Sequence, residues 1–135
     1  VSVRSYSNDL EQVRTDLRRA ALCVLPSRAE GFGLAALEAI GLGTPVLVSD
    51  KSGLAQTLLR LLGREALPMI VGVADDLQSD VRRWTAAIQG VLNDLPKAFT
   101  YAHEIRAKLK AKLSWDSMAE TLVERIAMPS PAVSA

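Results

Sequence analysis

The sequence predicts an α/β fold, a Rossmann-like parallel sheet with flanking helices and a helical carboxyl-terminal part. Three observations carry this. Leu22 to Leu25 and Pro45 to Val48 are continuous apolar runs, the pattern of strands buried on both faces of a parallel sheet. Apolar residues at helical spacing stand before, between and after those runs. The turn Gly31-Phe32-Gly33 joins the first apolar run to an apolar helix. Strands that alternate with helices imply right-handed crossovers and helices on both faces of the sheet.

Taken in order, Val1 to Tyr6 alternates and is β-prone. Asn8 with Glu11 reads as a capping box, after which Leu10, Val13, Leu17 and Ala20/Ala21 recur at helical spacing. The strand Leu22 to Leu25 follows. A helix is predicted from about Gly33 to Leu42, ended by Gly43, then the strand Pro45 to Val48. Ser52 opens a further helix through about Leu62, closed by Gly63, and Met69 to Val73 reads as another strand. After Asp75 and Asp76 the pattern is all-helical, with Val81, Trp84, Ile88 and Val91/Leu92 at spacings of three and four. Pro96 breaks it. A helix is then expected from about Lys97 to Leu113 with Ala98, Tyr101, Ile105 and Leu109 inward, and Ser114 caps a last helix carrying Met118, Leu122 and Ile126. Trp84 and Trp115 fall at core positions. Residues 1–127 form one domain and 128–135 a tail or linker.

At 135 residues and 14.5 kDa the chain suffices for one domain with an ordinary core. With 49% hydrophobic and 23% charged residues it is globular in composition, and a net charge of +1 argues against a nucleic-acid or acidic-membrane surface. No apolar run approaches a membrane span. Cys23 sits inside an apolar strand without an intrachain partner, which fits a reducing compartment; with no signal peptide, the location expected is cytoplasmic. A start at Val1 rather than Met suggests a piece of something longer. His103 is a lone histidine on an amphipathic helix, and no Cys or His stands at metal-ligand spacing, so no metal site is expected. Lys97, Arg106, Lys108, Lys110 and Lys112 read as a solvated helix face, as do Arg18/Arg19 and Arg82/Arg83.

The informative stretch runs from Val24 to Asp50. Two glutamates, Glu30 and Glu38, flank the glycine turn, and between Glu30 and Asp50 the only charged side chain is Glu38. It sits on an apolar helix with Leu34, Leu37 and Gly41 beside it at i−4, i−1 and i+3. A buried carboxylate without donors would cost several kcal/mol. Glu38 is therefore expected to be largely buried and to meet donors, either protein groups or the hydroxyls of a ligand. Gly31 and Gly33 permit backbone angles and approach distances that a side chain forbids, and the amides at the start of the next helix can face an anion. The loop lies after a strand, at the carboxyl edge where ligands of such sheets bind. Tight strand-to-helix geometry would also account for the glycines, and core packing for Phe32.

The run Pro26, Ser27, Glu30, Gly31, Phe32, Gly33, Leu34, Leu37, Glu38, Ala39, followed by Gly43, Pro45 and Val46, resembles the donor-binding segment of retaining GT-B glycosyltransferases. This is the large group 1 family of glycogen-synthase-like, sucrose-synthase-like and phosphatidylinositol-mannosyltransferase-like enzymes. The resemblance covers residues 1 to about 127 and implies the carboxyl-terminal half of a GT-B nucleotide-sugar-binding domain. It implies that Glu30, as the catalytic residue, accepts hydrogen bonds from the donor sugar, that amides from Phe32 to Leu34 contact sugar and diphosphate, and that Glu38 holds the ribose hydroxyls. Ser52 and Gly53 join the donor-binding set with Gly31, Phe32, Gly33 and Leu34. The donor is a UDP-, GDP- or ADP-sugar, and no cofactor is implied.

Two features depart from the family pattern. Where the family shows Gly-Gly-x-x-Glu, this chain has Ser52-Gly53-Leu54-Ala55-Gln56. The family's Arg and Lys clamp on the diphosphate and its amino-terminal acceptor domain lie upstream of anything present here. The leading expectation is a nucleotide-sugar-binding segment of a glycosyltransferase, inactive alone and partnered by the missing acceptor domain. The rival is a non-catalytic recognition or assembly module within a larger intracellular, NLR-like protein. A third reading is structural, a homo-oligomer that covers an open sheet edge.

Overall fold

In the computed structural model, which describes residues 3, 5, 8–27 and 31–112, strands and helices alternate as the apolar runs predict. Helix α1 spans Leu10–Arg19, strand β1 Cys23–Leu25, helix α2 Leu34–Gly41, strand β2 Val46–Ser49 and helix α3 Gly53–Leu62. A 3-10 helix at Gly63–Met69 leads into strand β3, Ile70–Val71, and helices α4, Leu77–Leu92, and α5, Leu95–Lys112, follow. The sheet has the order β1-β2-β3 with both pairs parallel, Cys23 opposite Val46 and Val48 opposite Ile70. The Val1 to Tyr6 strand lies largely outside the described residues, and the Ser114 helix with Trp115, Met118, Leu122 and Ile126 wholly so.

All four residues of β2 are buried, because both faces of the sheet are covered. Val46 and Val48 join a core with Ala36, Ile40, Leu54, Leu58, Ile105 and Leu109, contributed by α2, α3 and α5. Leu47, pointing the other way, joins Val71 and Trp84 beneath α4. This is the two-residue period of a strand read directly in burial. Leu47, Leu54 and Leu58 are almost completely buried, each worth about 1.5–3 kcal/mol of hydrophobic stabilisation. Val24 and Leu22 lie only partly covered at the β1 side of the α4 face. Cys23 packs partly buried against the first core, and burial pushes its thiol up, which keeps it protonated and unreactive.

Several boundaries differ from the sequence reading. Asp9 rather than Asn8 caps α1, accepting from the amides of Glu11 and Gln12 at 3.1 and 3.3 Å, because the helix starts at Leu10 and Asp9 is the residue immediately before it. The strand expected over Met69 to Val73 shrinks to Ile70–Val71, because Gly63–Met69 winds as a 3-10 helix and Val73 turns to Asp50 instead of a strand partner. Pro96 does not break the helix. Pro needs no amide partner in a first turn, so it sits inside α5, and the chain breaks instead at Asn93 and Asp94. Val81 is 55% exposed and does not share the buried face of Trp84, since α4 meets the sheet only where β2 and β3 reach it.

The end of α2 holds the site in place from behind. Gly43, at φ +79°, donates to the Ile40 carbonyl and Thr44 donates to Ala39, both at 3.0 Å, the paired bonds of a left-handed helix ending. Thr44 Oγ1 then donates to the Leu17 carbonyl at 2.8 Å and ties α1 to the same corner.

Candidate functional site

Helix α2 begins without a side-chain cap. Asp9, Ser52, Asp76 and Asp94 accept amides at the starts of α1, α3, α4 and α5, whereas Gly33 occupies that position for α2 and has no side chain to offer. The amides of Leu34, Ala35 and Ala36 have no acceptor among the described residues. Together they form the partial positive charge of a helix start, presented at the carboxyl edge of β1. Beside them is a cavity of about 390 Å³ lined by Leu25, Pro26, Ser27, Gly31 and Gly33.

The glycines hold different positions in this arrangement. Gly33 has φ +95°, and a Cβ there would stand 3.1 Å from Leu25 Cδ2 and 3.5 Å from Leu54 Cβ. Both backbone angle and space therefore demand glycine. Gly31 is exposed, with nothing within 4 Å of a Cβ built on it, so its open side is where another molecule can approach. Gly53 lies under Phe32: a Cβ would meet the Phe32 ring at 3.2 Å. Phe32 itself packs partly buried on the main core, which accords with its core-packing reading.

A second loop is stitched to the first. The amides of Gly53 and Leu54 donate to the carbonyls of Gly31 and Phe32 at 3.3 and 2.8 Å. Ser52 is buried; its hydroxyl donates to the Ser49 carbonyl at 2.8 Å and accepts from the Ala55 amide at 3.1 Å. The start of α3 is thus satisfied by the protein, and α2 is left as the open one. A third loop joins through Asp50, whose Oδ1 accepts from the Val73 amide at 3.1 Å, while buried Asp80 accepts from Ala74 at 2.7 Å. Sequence reasoning missed both aspartates. Their only signal was an acid just beyond an apolar run, which does not say which amide it will meet.

Glu38 is partly buried. The inner face of α2 is Ala36, Leu37, Ala39 and Ile40, and Glu38 stands at its flank, one turn beyond Leu34, which is 45% exposed. Its carboxylate has no hydrogen-bond partner among the described residues, and it does not line the small cavity. Partial exposure is what permits this without the cost of a buried unpaired charge. Glu30 lies outside the described residues. Gln56 is exposed on the first turn of α3. His103 is exposed at the other end of the sheet, its ring against Gly43, far along the chain from the loop. Among the described residues no group of three or more His, Cys, Asp or Glu could hold a metal ion, and no helix is long and apolar enough to cross a membrane.

A parallel sheet flanked by helices, with a glycine turn leading into an uncapped helix at its carboxyl edge, defines a Rossmann-like layer of the GT-B type. The chain belongs to the family described as family 4 glycosyltransferases in conflict systems, whose model matches residues 1–122. It is 35% identical over 104 residues to glycogen synthase of Mycobacterium tuberculosis, covering 76% of this chain and 23% of that protein. With D-inositol 3-phosphate glycosyltransferase of Mycobacterium marinum it shares 35% identity over 121 residues, 83% of this chain and 23% of the relative. The corresponding enzyme of Thermobispora bispora is 34% identical over 107 residues, covering 79% and 23%. The chain spans about a quarter of the length of these curated relatives. No solved structure matches it significantly.

Proposed function

We propose that the chain is the donor-binding segment of a retaining glycosyltransferase, binding a nucleotide-diphosphate sugar at the Gly31 loop and transferring no sugar by itself. The observation that supports this reading is the uncapped start of α2 beside a glycine loop, with Glu38 one turn further along the same helix. The exposed amide-bearing residues Leu34 and Ala35 at the helix start stabilise a diphosphate, which is also the leaving group of the transfer; donors fixed in place where charge develops supply the largest part of such catalysis. Glu38, partly buried and without a hydrogen-bond partner among the described residues, offers two acceptor oxygens to the two hydroxyls of a ribose. Glu30, in the loop, accepts from the donor sugar. Gly31 and Phe32 form the loop, Gly53 and Leu54 fix their carbonyls from below, and Ser52 supports the turn by capping α3.

Transfer requires the acceptor to be held against the donor. The relatives are about four times the length of the matching segment, and on this reading an acceptor domain is supplied by sequence outside that segment. The segment therefore works as residues 1–127 of a larger assembly. Calorimetric titration with UDP, GDP, ADP and their glucose conjugates tests the reading. Saturable binding of one nucleotide, lost in Glu38→Ala, is the expected result, with no product formed from generic acceptors. Absence of binding to all of them, or turnover by this chain alone, would overturn it.

A second reading is favoured by one observation. Ser52 is buried as a helix cap, at the position where the resemblance implies a glycine, and Gln56 stands where it implies an acid. This is what a glycosyltransferase-like module for recognition or assembly, relieved of catalysis, would carry. Joining the chain to an acceptor domain with its Arg and Lys separates the two, since an enzyme segment gains turnover there and a module does not.

A further inference from the structure

The opposite pole of the sheet holds a second, larger cavity of about 430 Å³. It lies at the amino ends of β2 and β3, between the end of α4 and the first half of α5, with Ile40, Val46, Met69, Ala87, Val91 and Ile105 among its walls. The volume falls in the range of roughly 300 to 1,000 Å³ typical of small-molecule pockets. Its polar groups are nearly all engaged by the protein. Thr44 Oγ1 donates to Leu17, Tyr101 Oη donates to the Glu65 carbonyl at 2.5 Å, and Asp94 Oδ1 accepts from the Lys97 amide at 3.1 Å.

Two features of the lining bear on an occupant. Gly90 sits within α4, where glycine is less stable than alanine by about 0.5–1 kcal/mol, and a Cβ built on it meets nothing within 4 Å. The space it opens is the cavity. Lys97, also lining the cavity and exposed at its mouth, is the third residue of α5. A cation at a helix start opposes the helix dipole, and Lys97 has no carboxylate within ion-pair distance among the described residues.

We propose that this cavity binds a small amphipathic anion, a single hydrocarbon chain with a carboxylate head, the chain against the apolar walls and the head on Lys97. The apolar interior gives no directional polar contact, which selects a hydrocarbon. Of the two charged residues in the lining, Asp94 is engaged through Oδ1 by the Lys97 amide, and the Lys97 ammonium is the group left to pair with the head. The site is independent of the Gly31 loop, which lies at the other edge of the sheet.

Titration of the 135-residue chain with decanoate and, in parallel, with decanol tests this. Decanoate is expected to bind once per chain, below its micelle concentration, at least about tenfold tighter than decanol. In Lys97→Glu that advantage should vanish while decanol binding persists. Gly90→Leu fills the space and should abolish binding of both, whereas Gly90→Ala should retain it. Amide shifts in nuclear magnetic resonance provide a readout without variants, and should centre on Ala87, Gly90, Ala98 and Ala102. No saturable binding, equal affinity for decanol, or shifts centred on the Gly31 loop would each overturn the proposal.

Discussion

The amide of Leu54 donates to the carbonyl of Phe32 at 2.8 Å, so the first turn of α3 is anchored on the loop that opens α2. The neighbouring bond from Gly53 to Gly31 runs the same way. Two loops from successive strands therefore move as one piece, and the helix start left open to a ligand is that of α2. This pairing is why changes in either loop reach both.

Gly33→Ala is expected to destabilise the chain by about 1–3 kcal/mol, since φ +95° is costly for alanine and the methyl would stand 3.1 Å from Leu25 Cδ2. Urea unfolding checks this through a lower midpoint. A midpoint equal to that of the parent would show that the loop relaxes freely.

Ser52→Ala removes the cap of α3 and leaves the Ser49 carbonyl with the Ser52 amide, at 3.0 Å, as its remaining donor. A loss of about 0.5–2 kcal/mol is expected from the cap. Because Ser52 also places Gly53 beneath Phe32, nucleotide affinity should fall with stability. Loss of stability with unchanged affinity would separate the cap from the site.

Glu38→Gln should leave the thermal midpoint nearly unchanged, because the carboxylate has no protein partner among the described residues. Nucleotide affinity should drop by at least about tenfold, as a hydrogen bond to a charged group is worth about 1.5–3 kcal/mol. A large fall in stability with intact binding would assign Glu38 a structural role instead.

Burial, with a smaller contribution from the nearby Glu65 charge, pushes the Tyr101 hydroxyl from near 10 up to about 12. The folded state thus holds this proton more tightly than the unfolded chain. The stability it contributes is complete below pH 10 and is lost as pH rises toward 12. Ultraviolet titration of the phenolate in the folded chain checks the value, and Tyr101→Phe should flatten the alkaline slope of the unfolding midpoint.

The sequence by itself determined the alternation of strands and helices. Pro45 to Val48 is buried on both faces as its continuous apolar run predicts, Leu22 to Leu25 forms its partly covered neighbour, and Gly43 and Gly63 end helices through a positive φ, which is a local reason. It determined the family too, because the ordered run from Pro26 to Val46 is a long one. Tertiary structure decided what local pattern leaves open. Whether Val81 is covered depends on how far β3 extends under α4, and β3 is short because Val73 turns to Asp50 across the sheet. Whether Ser52 faces a ligand or a backbone carbonyl depends on Ser49, and the packing of β2 against α3 fixed that. Glu38 sits at the flank of its helix because the core took the Leu37 and Ile40 side, and a helical period alone cannot say how wide a covered face will be.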